Sequence, residues 1–251
     1  MKYLITGHKG FIGTNLVNYL QEKGEEVIGI DYPNDIVEDI PGHTGIDVVV
    51  HLAAETNVRQ SIITPKITFS RNCLSILHML DVAKSNYAKF IFASSCGAAN
   101  PINPYSASKL AGEAICQAYR ESYMMDISIL RFANVYGPHS KHKDSVIAKF
   151  IKQKLNNEPV SINGSGHQTR DFIHVQDICK AIYTAHEEFS TIATGTLTSV
   201  NSIIEMLGIK DVIYDSPIEG EIFHPETVKW SGCQVKLEDG LASTLKWFEE
   251  N

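Results

Sequence analysis

Thr6-Gly7-His8-Lys9-Gly10-Phe11-Ile12-Gly13 lies almost at the start of a 251-residue chain. It follows the apolar run Tyr3-Leu4-Ile5. It opens a stretch with helical spacing, in which Phe11, Ile12, Leu16, Val17 and Leu20 fall on one side. Three glycines at a strand-to-helix junction have a physical use. The first allows a tight turn. The others let a ligand and the sheet approach the backbone closely, while unpaired N–H groups at the helix start face an anion. A diphosphate is the anion such a turn suits. The spacing is GxxGxxG rather than the commoner GxGxxG, and taken alone it also describes an ordinary glycine turn.

Asp31 narrows the reading. It follows a second apolar segment, Glu26-Val27-Ile28-Gly29-Ile30. A carboxylate there accepts hydrogen bonds from both ribose hydroxyls of an adenosine and repels a 2′-phosphate, which favours NAD over NADP. Its plainer role is to end a strand ahead of Pro33. Further on, Ile46 to Ala54, Lys89 to Ser95 and Ile127 to Ala133 read as strands, and 65–85 and 105–123 as helices. Near-continuous Val, Ile and Phe runs are those of strands buried on both faces of a parallel sheet. Their alternation with helices predicts a doubly wound α/β domain. After Gly137-Pro138 the pattern loosens, with helices expected near 145–156 and 238–250. The expected division is 1–137, completed by about 168–190, and a smaller lobe over 138–251.

Composition bounds the function. The formal charge of −7 argues against a nucleic-acid partner. Five widely spaced cysteines without a CxxC pair predict neither a disulfide framework nor a zinc site, and the ten histidines show no metal-binding motif. No apolar run is long enough to span a bilayer, and the N-terminus shows no leader-like pattern, so a cytoplasmic protein is expected.

Tyr105 and Lys109, in Pro104-Tyr105-Ser106-Ala107-Ser108-Lys109, are four apart and share one helix face. A tyrosine of ordinary pKa ~10 is a poor base at neutral pH; lowering it by ~3 units takes ~4 kcal/mol. A neighbouring ammonium and an oxidised nicotinamide supply that in a dry site. Ser94 and Ser95 end the preceding strand at the carboxyl edge, where such sheets bind ligands. Ser95 is preferred as the bridge between a substrate oxygen and Tyr105. Each of these also has a bland reading, as exposed helix residues or a strand end.

In combination, "TGHKGFIG", Asp31, "VVHLAAET", "VRQSIITP" with Asn72 following, "FASS", "YSASK", "LRFANVYGP" and "INGSGHQTRDFIHVQDI" occur in family order over about residues 1–190. The chain thereby resembles the extended short-chain dehydrogenase/reductases, specifically the NAD-dependent nucleotide-sugar epimerase/dehydratase family. The resemblance implies a Rossmann domain carrying a smaller sugar-nucleotide lobe, and a homodimer built on the helices near 65–85 and 105–123. It implies that Gly7, Gly10, Phe11, Ile12 and Gly13 hold the pyrophosphate and Asp31 the adenosine ribose. Leu52, Ala53, Ala54 and Asn72 would line the cofactor groove, and Lys109 would also bind the nicotinamide ribose. Ser95, Tyr105 and Lys109 would be catalytic. Ser95, Asn134 and Arg170 would meet a nucleoside-diphosphate sugar, with Asp171 as the alternative partner of Arg170. The implied reaction is epimerisation, usually at C4, through a transient keto-sugar.

Departures sharpen that expectation. The family's dehydratases carry Thr-Asp-Glu where this chain has Ser95-Cys96-Gly97, so 4,6-dehydration lacks its acid and base. Cys96 with His139 or His142 bears a faint likeness to reductive epimerases, though Cys96 is one place short. The segment from Ser95 to Tyr105 and the loop after Asp31 are shortened. The phosphate-binding RxGD motif reads Ile218-Glu219-Gly220-Glu221, without its arginine. A keto-sugar reductase and a non-catalytic NAD sensor stand as the alternatives.

Overall fold

The computed structural model describes residues 1–31, 44–216 and 226–251. Two expectations, the short loop after Asp31 and the Ile218–Glu221 motif, fall largely or wholly outside them. The chain divides into two compact units: Met1–Phe132 with Ala181–Thr191, and Ala133–Lys180 with Ile192–Asn251.

The first unit alternates strand and helix as the apolar runs require. In chain order come β1 (Lys2–Thr6), α1 (Phe11–Glu22), β2 (Glu26–Ile30), β3 (Val48–His51), α2 (Val58–Ile63), α3 (Pro65–Asn86), β4 (Lys89–Ser95), α4 (Pro104–Tyr123) and β5 (Ile127–Phe132). A sixth strand, β9 (Phe189–Ile192), returns to the sheet edge. The order is β2-β1-β3-β4-β5-β9, and the pairings from β2 through β5 are parallel. The chain runs one way from β1 to β2 and then crosses to β3 on the other side of β1. That makes the carboxyl ends of β1 and β3 a topological switch point, where open α/β sheets bind ligands.

Local chemistry sets the helix ends. Pro65 opens α3 and Pro104 opens α4, each with its missing N–H where no helical partner exists. The Asn103 side chain accepts the Ser106 N–H at 2.9 Å and caps α4. The sheet core contains Leu4, Val49, Phe90 and Phe92, each fully shielded from solvent and contributing about 1.5–3 kcal/mol by burial. The six-residue α2 and the sixth strand are additions to the sequence reading.

The second unit holds β6 (Asn134–Tyr136), α5 (Val146–Leu155), β7 (Val160–Asn163), β8 (Thr169–His174), the start of α6 (Val175–Tyr183), β10 (Leu197–Ser199), α7 (Val200–Met206), β11 (Val212–Asp215) and α8 (Leu237–Glu250). Its strands form a three-stranded sheet, β10-β8-β6, and a β11-β7 pair. A separate apolar core joins α5, α7 and α8 through Phe150, Ile151, Ile203, Leu241 and Phe248.

Candidate active site

The glycine turn is as close-packed as its spacing implied. Gly7 has φ +73°, a left-handed conformation glycine adopts without strain, and a Cβ there would stand 3.0 Å from the Ala53 nitrogen. At Gly13 a Cβ would lie 2.0 Å from the Gly7 carbonyl oxygen, which no side chain tolerates. Gly10 is less constrained, its Cβ meeting that same oxygen at 3.2 Å. Gly10 is the N-cap of α1, and no side chain caps the helix. The first-turn N–H groups of Phe11, Ile12 and Gly13 therefore form a backbone cradle of the kind that binds phosphates. Phe11 itself is buried beneath it. Asp31 Oδ2 accepts the Lys9 N–H at 2.9 Å, which ties the end of β2 to the turn. Leu52 and Ala53, just after β3, face the same turn, and Ala54 follows them: a Cβ at Gly7 would meet Ala53 N and Cα and the Leu52 carbonyl carbon, and Ala53 N–H donates to Thr6 Oγ1 at 3.2 Å. A glycine-built cradle, an uncapped helix start and a carboxylate at the end of β2 fit a dinucleotide.

A second constellation in this unit rests on α4 and the end of β4. The Tyr105 phenol lies near Ser95, the last residue of β4, whose side chain also accepts the Gly97 N–H at 3.2 Å. Ser94 donates to Glu113 Oε1. The two serines thus meet different residues of α4: Ser95 is beside the phenol, and Ser94 is buried against Glu113. Lys109 Nζ donates to the Ala93 carbonyl at 2.7 Å and lies 5.0 Å from the Phe92 ring centroid. Burial pulls the Lys109 ammonium down to about 8, opposed by Cys116 and Glu113. Burial also pushes Tyr105 above its ordinary 10.0, and the Ser95 side chain works against that rise. The protein alone therefore holds Tyr105 as a neutral phenol, and Lys109, engaged with Ala93, does not by itself supply the expected lowering.

Asn72, expected to line the cofactor groove, lies where α3 meets the loop after β3. It is 2% exposed, and its amide is spent internally. Its Oδ1 accepts the Glu55 N–H at 2.8 Å and its Nδ2 donates to Ser108 Oγ at 2.9 Å, while Ser108 Oγ donates to the Tyr105 carbonyl at 2.7 Å. Asn72 braces the loop after β3 against α4. Behind it stands His51, stacked on Phe90 and Phe92 and joined to Thr6 Oγ1 at 2.8 Å and Ser75 Oγ at 3.3 Å. Burial, then the Lys109 charge, takes His51 down to about 3, so it is a neutral bridge. Ser61 Oγ accepts the Tyr105 N–H at 3.2 Å. Sequence reasoning passed over His51, Ser61, Ser108, Glu113 and Arg131. For Glu113 a signal existed, since it continues the four-residue spacing of Tyr105 and Lys109.

The second unit holds the remaining site candidates. Asn134 begins β6 and is exposed. Arg170 lies on β8, its Nη1 donating to the Thr169 carbonyl at 2.7 Å. Asp171 accepts from Thr194 N and Oγ1, Gly195 N and Thr227 Oγ1, so the carboxylate organises the adjoining backbone. His139 stacks on Trp247 with centroids 4.7 Å apart. In the first unit, Cys96 Sγ approaches the Arg131 carbonyl at 3.9 Å. Among the described residues no cluster of His, Cys, Asp or Glu is placed to hold a metal ion, and no helix is long and apolar enough to cross a membrane.

Residues 3–200 match the family model described as the NAD dependent epimerase/dehydratase family. The chain belongs to that family. NAD is its cofactor, and its fold is that of Rossmann-type sugar-nucleotide enzymes. A putative UDP-glucose 4-epimerase of Methanocaldococcus jannaschii is 32% identical, the match covering 99% of this chain and 98% of the relative. That alignment runs to 302 positions, so about fifty have no counterpart in 251 residues. Among family structures, UDP-glucose 4-epimerase from Thermotoga maritima, solved with UDP-glucose, superposes with TM-score 0.90 at 27% identity. That superposition covers 100% of this chain and 99% of the other. A variant of UDP-glucuronic acid 4-epimerase from Bacillus cereus, solved with UDP-4-deoxy-4-fluoro-glucuronic acid and NAD, gives 0.89 at 25% identity over 100% and 99%.

Proposed function

We propose that the protein is an NAD-dependent 4-epimerase of UDP-sugars. The observation that carries this reading is the α4–β4 constellation: Tyr105 near Ser95, with Lys109 one helical turn along and held by the Ala93 carbonyl, in the unit that also contains the glycine cradle. Bound oxidised NAD supplies a hydride acceptor and a positive charge. Tyr105 removes the proton of the sugar 4-hydroxyl as hydride leaves the same carbon, and Ser95 holds that oxygen. With NAD bound, its reversible hydride chemistry would allow return at the same carbon, and Tyr105 would give the proton back to the same oxygen. Lys109 orients the nicotinamide ribose and, with the cofactor's charge, brings the phenol toward neutrality. Gly7, Gly10, Phe11, Ile12 and Gly13 hold the diphosphate, and Leu52, Ala53 and Ala54 wall the groove. Asp31 selects NAD, while Asn134 and Arg170 serve the sugar nucleotide.

Cys96 and Gly97 form part of a short 3-10 turn and offer no acid or base pair for dehydration, which favours epimerisation within the family. A homodimer through α3 and α4 is supported by apolar side chains they expose, Ile67, Phe69, Leu74 and Leu110. Five free thiols suit a reducing cytoplasm. The test is incubation with NAD and UDP-glucose, UDP-N-acetylglucosamine or UDP-glucuronic acid, followed by NMR and absorbance. Inversion at C4 without net NADH supports the reading. Steady NADH consumption with a keto-sugar would indicate a reductase, and a Tyr105→Phe variant as active as the native chain would refute the mechanism.

A further inference from the structure

Tyr105, Lys109 and Glu113 are successive four-residue steps on one face of α4, and each meets a different residue at the end of β4. Lys109 takes the Ala93 carbonyl, Glu113 takes Ser94 and Tyr105 lies beside Ser95. Glu113 also receives both arms of a guanidinium: Arg131 Nε to Oε1 at 2.8 Å and Nη2 to Oε2 at 2.6 Å. Arg131 comes from β5, where it pairs in register with Ser94 and lies 4.8 Å from the Phe189 ring. An ion pair this buried contributes little net stability against an apolar alternative. A carboxylate one turn from a buried ammonium, however, acts on that ammonium's charge.

We propose that Glu113, clamped by Arg131 and Ser94, is a positioning residue that keeps Lys109 protonated in the enzyme before it takes up cofactor and substrate. The proposal rests on the reading that Tyr105 and Lys109 serve the reaction. The groups around Lys109 support it by elimination. On α4, burial holds the Cys116 thiol up near 12 and Tyr105 above 10.0, so both are neutral. On β3, His51 is held near 3 and is neutral. β4 contributes the Ala93 carbonyl and the Phe92 ring. Among the described residues this leaves Glu113 and, from β5, Arg131 as the charges in this cluster. Burial lowers Lys109, and Cys116 and then Glu113 work against it; with the Cys116 thiol neutral, the carboxylate four residues along the same face of α4 is the anion left to do so.

The experiment reads Lys109 itself, by 13C NMR of protein labelled at lysine Cε, with the resonance identified by its loss in Lys109→Met. In the protein without substrate, Glu113→Gln lowers the Lys109 midpoint by about one pH unit. Arg131→Met breaks the same ion pair but keeps the carboxylate, and leaves the midpoint unchanged or raised. The double variant, which strands no buried charge, shows the lowered midpoint and serves if Glu113→Gln folds poorly. In turnover, the alkaline limb of the rate profile moves to lower pH in Glu113→Gln and not in Arg131→Met. An unmoved Lys109 midpoint in both Glu113→Gln and the double variant, or equal lowering in Arg131→Met, overturns the proposal. Failure of the catalytic reading registers separately, as native activity in Tyr105→Phe.

Discussion

Replacing Gly13 by alanine places a methyl group where the turn has no room. Its carbon would lie 2.0 Å from the Gly7 oxygen, 2.7 Å from His8 Cα and 2.8 Å from the Gly7 carbonyl carbon. Ordinary contact needs ~3.5 Å or more, so the turn and the start of α1 must separate by more than 1 Å. The clashing atoms are all backbone, and no flexible side chain can yield. Overpacking of this kind costs about 1–3 kcal/mol. If the strain is relieved by moving the turn away from α1, the N–H groups that form the cradle no longer converge, and NAD affinity falls by a similar free energy, roughly 10- to 100-fold. Gly10→Ala is the internal control. Its nearest contact is the Gly7 oxygen at 3.2 Å, which a shift of a few tenths of an ångström relieves. Urea denaturation and calorimetric NAD titration of both variants test this. A Gly13→Ala protein with native stability and native NAD affinity, or one no worse than Gly10→Ala, would refute the close-packing argument.

Tyr105→Phe is expected to keep NAD binding while losing turnover by about 10²–10⁴-fold, measured by calorimetry beside NMR of the sugar nucleotide. His51 contributes a pH dependence of stability whose sign follows from its position. Unfolded, it takes a proton below about 6.5; folded, it resists protonation down to about 3. Its contribution is complete above pH 6.5 and is lost as pH falls toward 3, at about 1.4 kcal/mol per unit. His174, held near 4 by burial, adds a like loss down to its own value. Urea midpoints between pH 7 and 4.5 should therefore fall less steeply in His51→Gln than in the native chain. An equal slope would show that His51 titrates normally. Asp31→Ala should weaken NAD and relax discrimination against NADP, read as the ratio of their dissociation constants.

The elements most legible in the sequence were those whose signals coincide. In β1–α1 an apolar run, a glycine spacing and a helical stripe all agree, and α4 announces itself by Asn103-Pro104 ahead of a long amphipathic stretch. The short α2 was not legible: its six residues lie close before α3, and Asn57 as its cap is the sole local mark. Ser94 and Ser95 could not be separated, because both end β4 against α4, and only the packing shows that Ser94 meets Glu113 while Ser95 lies by Tyr105. The His51–Ser75 and Asn72–Ser108 contacts were hidden for a related reason. Their members come from β3, α3 and α4, and nothing local in any of them indicates that their side chains meet. Glu113 was overlooked because a glutamate on a helix is ordinarily solvated. Only the packing of α4 on β4 and β5 reveals it as buried and paired.

The central claim is that one carbon of the sugar gives up hydride and takes the same hydride back while Tyr105 handles the proton. A UDP-sugar carrying deuterium at C4 tests it directly. The account predicts C4-epimerised product that keeps its deuterium through many turnovers, with no solvent hydrogen at that carbon and no net NADH. Epimer that has exchanged C4 with solvent, or no epimer with any UDP-sugar while NAD is bound, would contradict it.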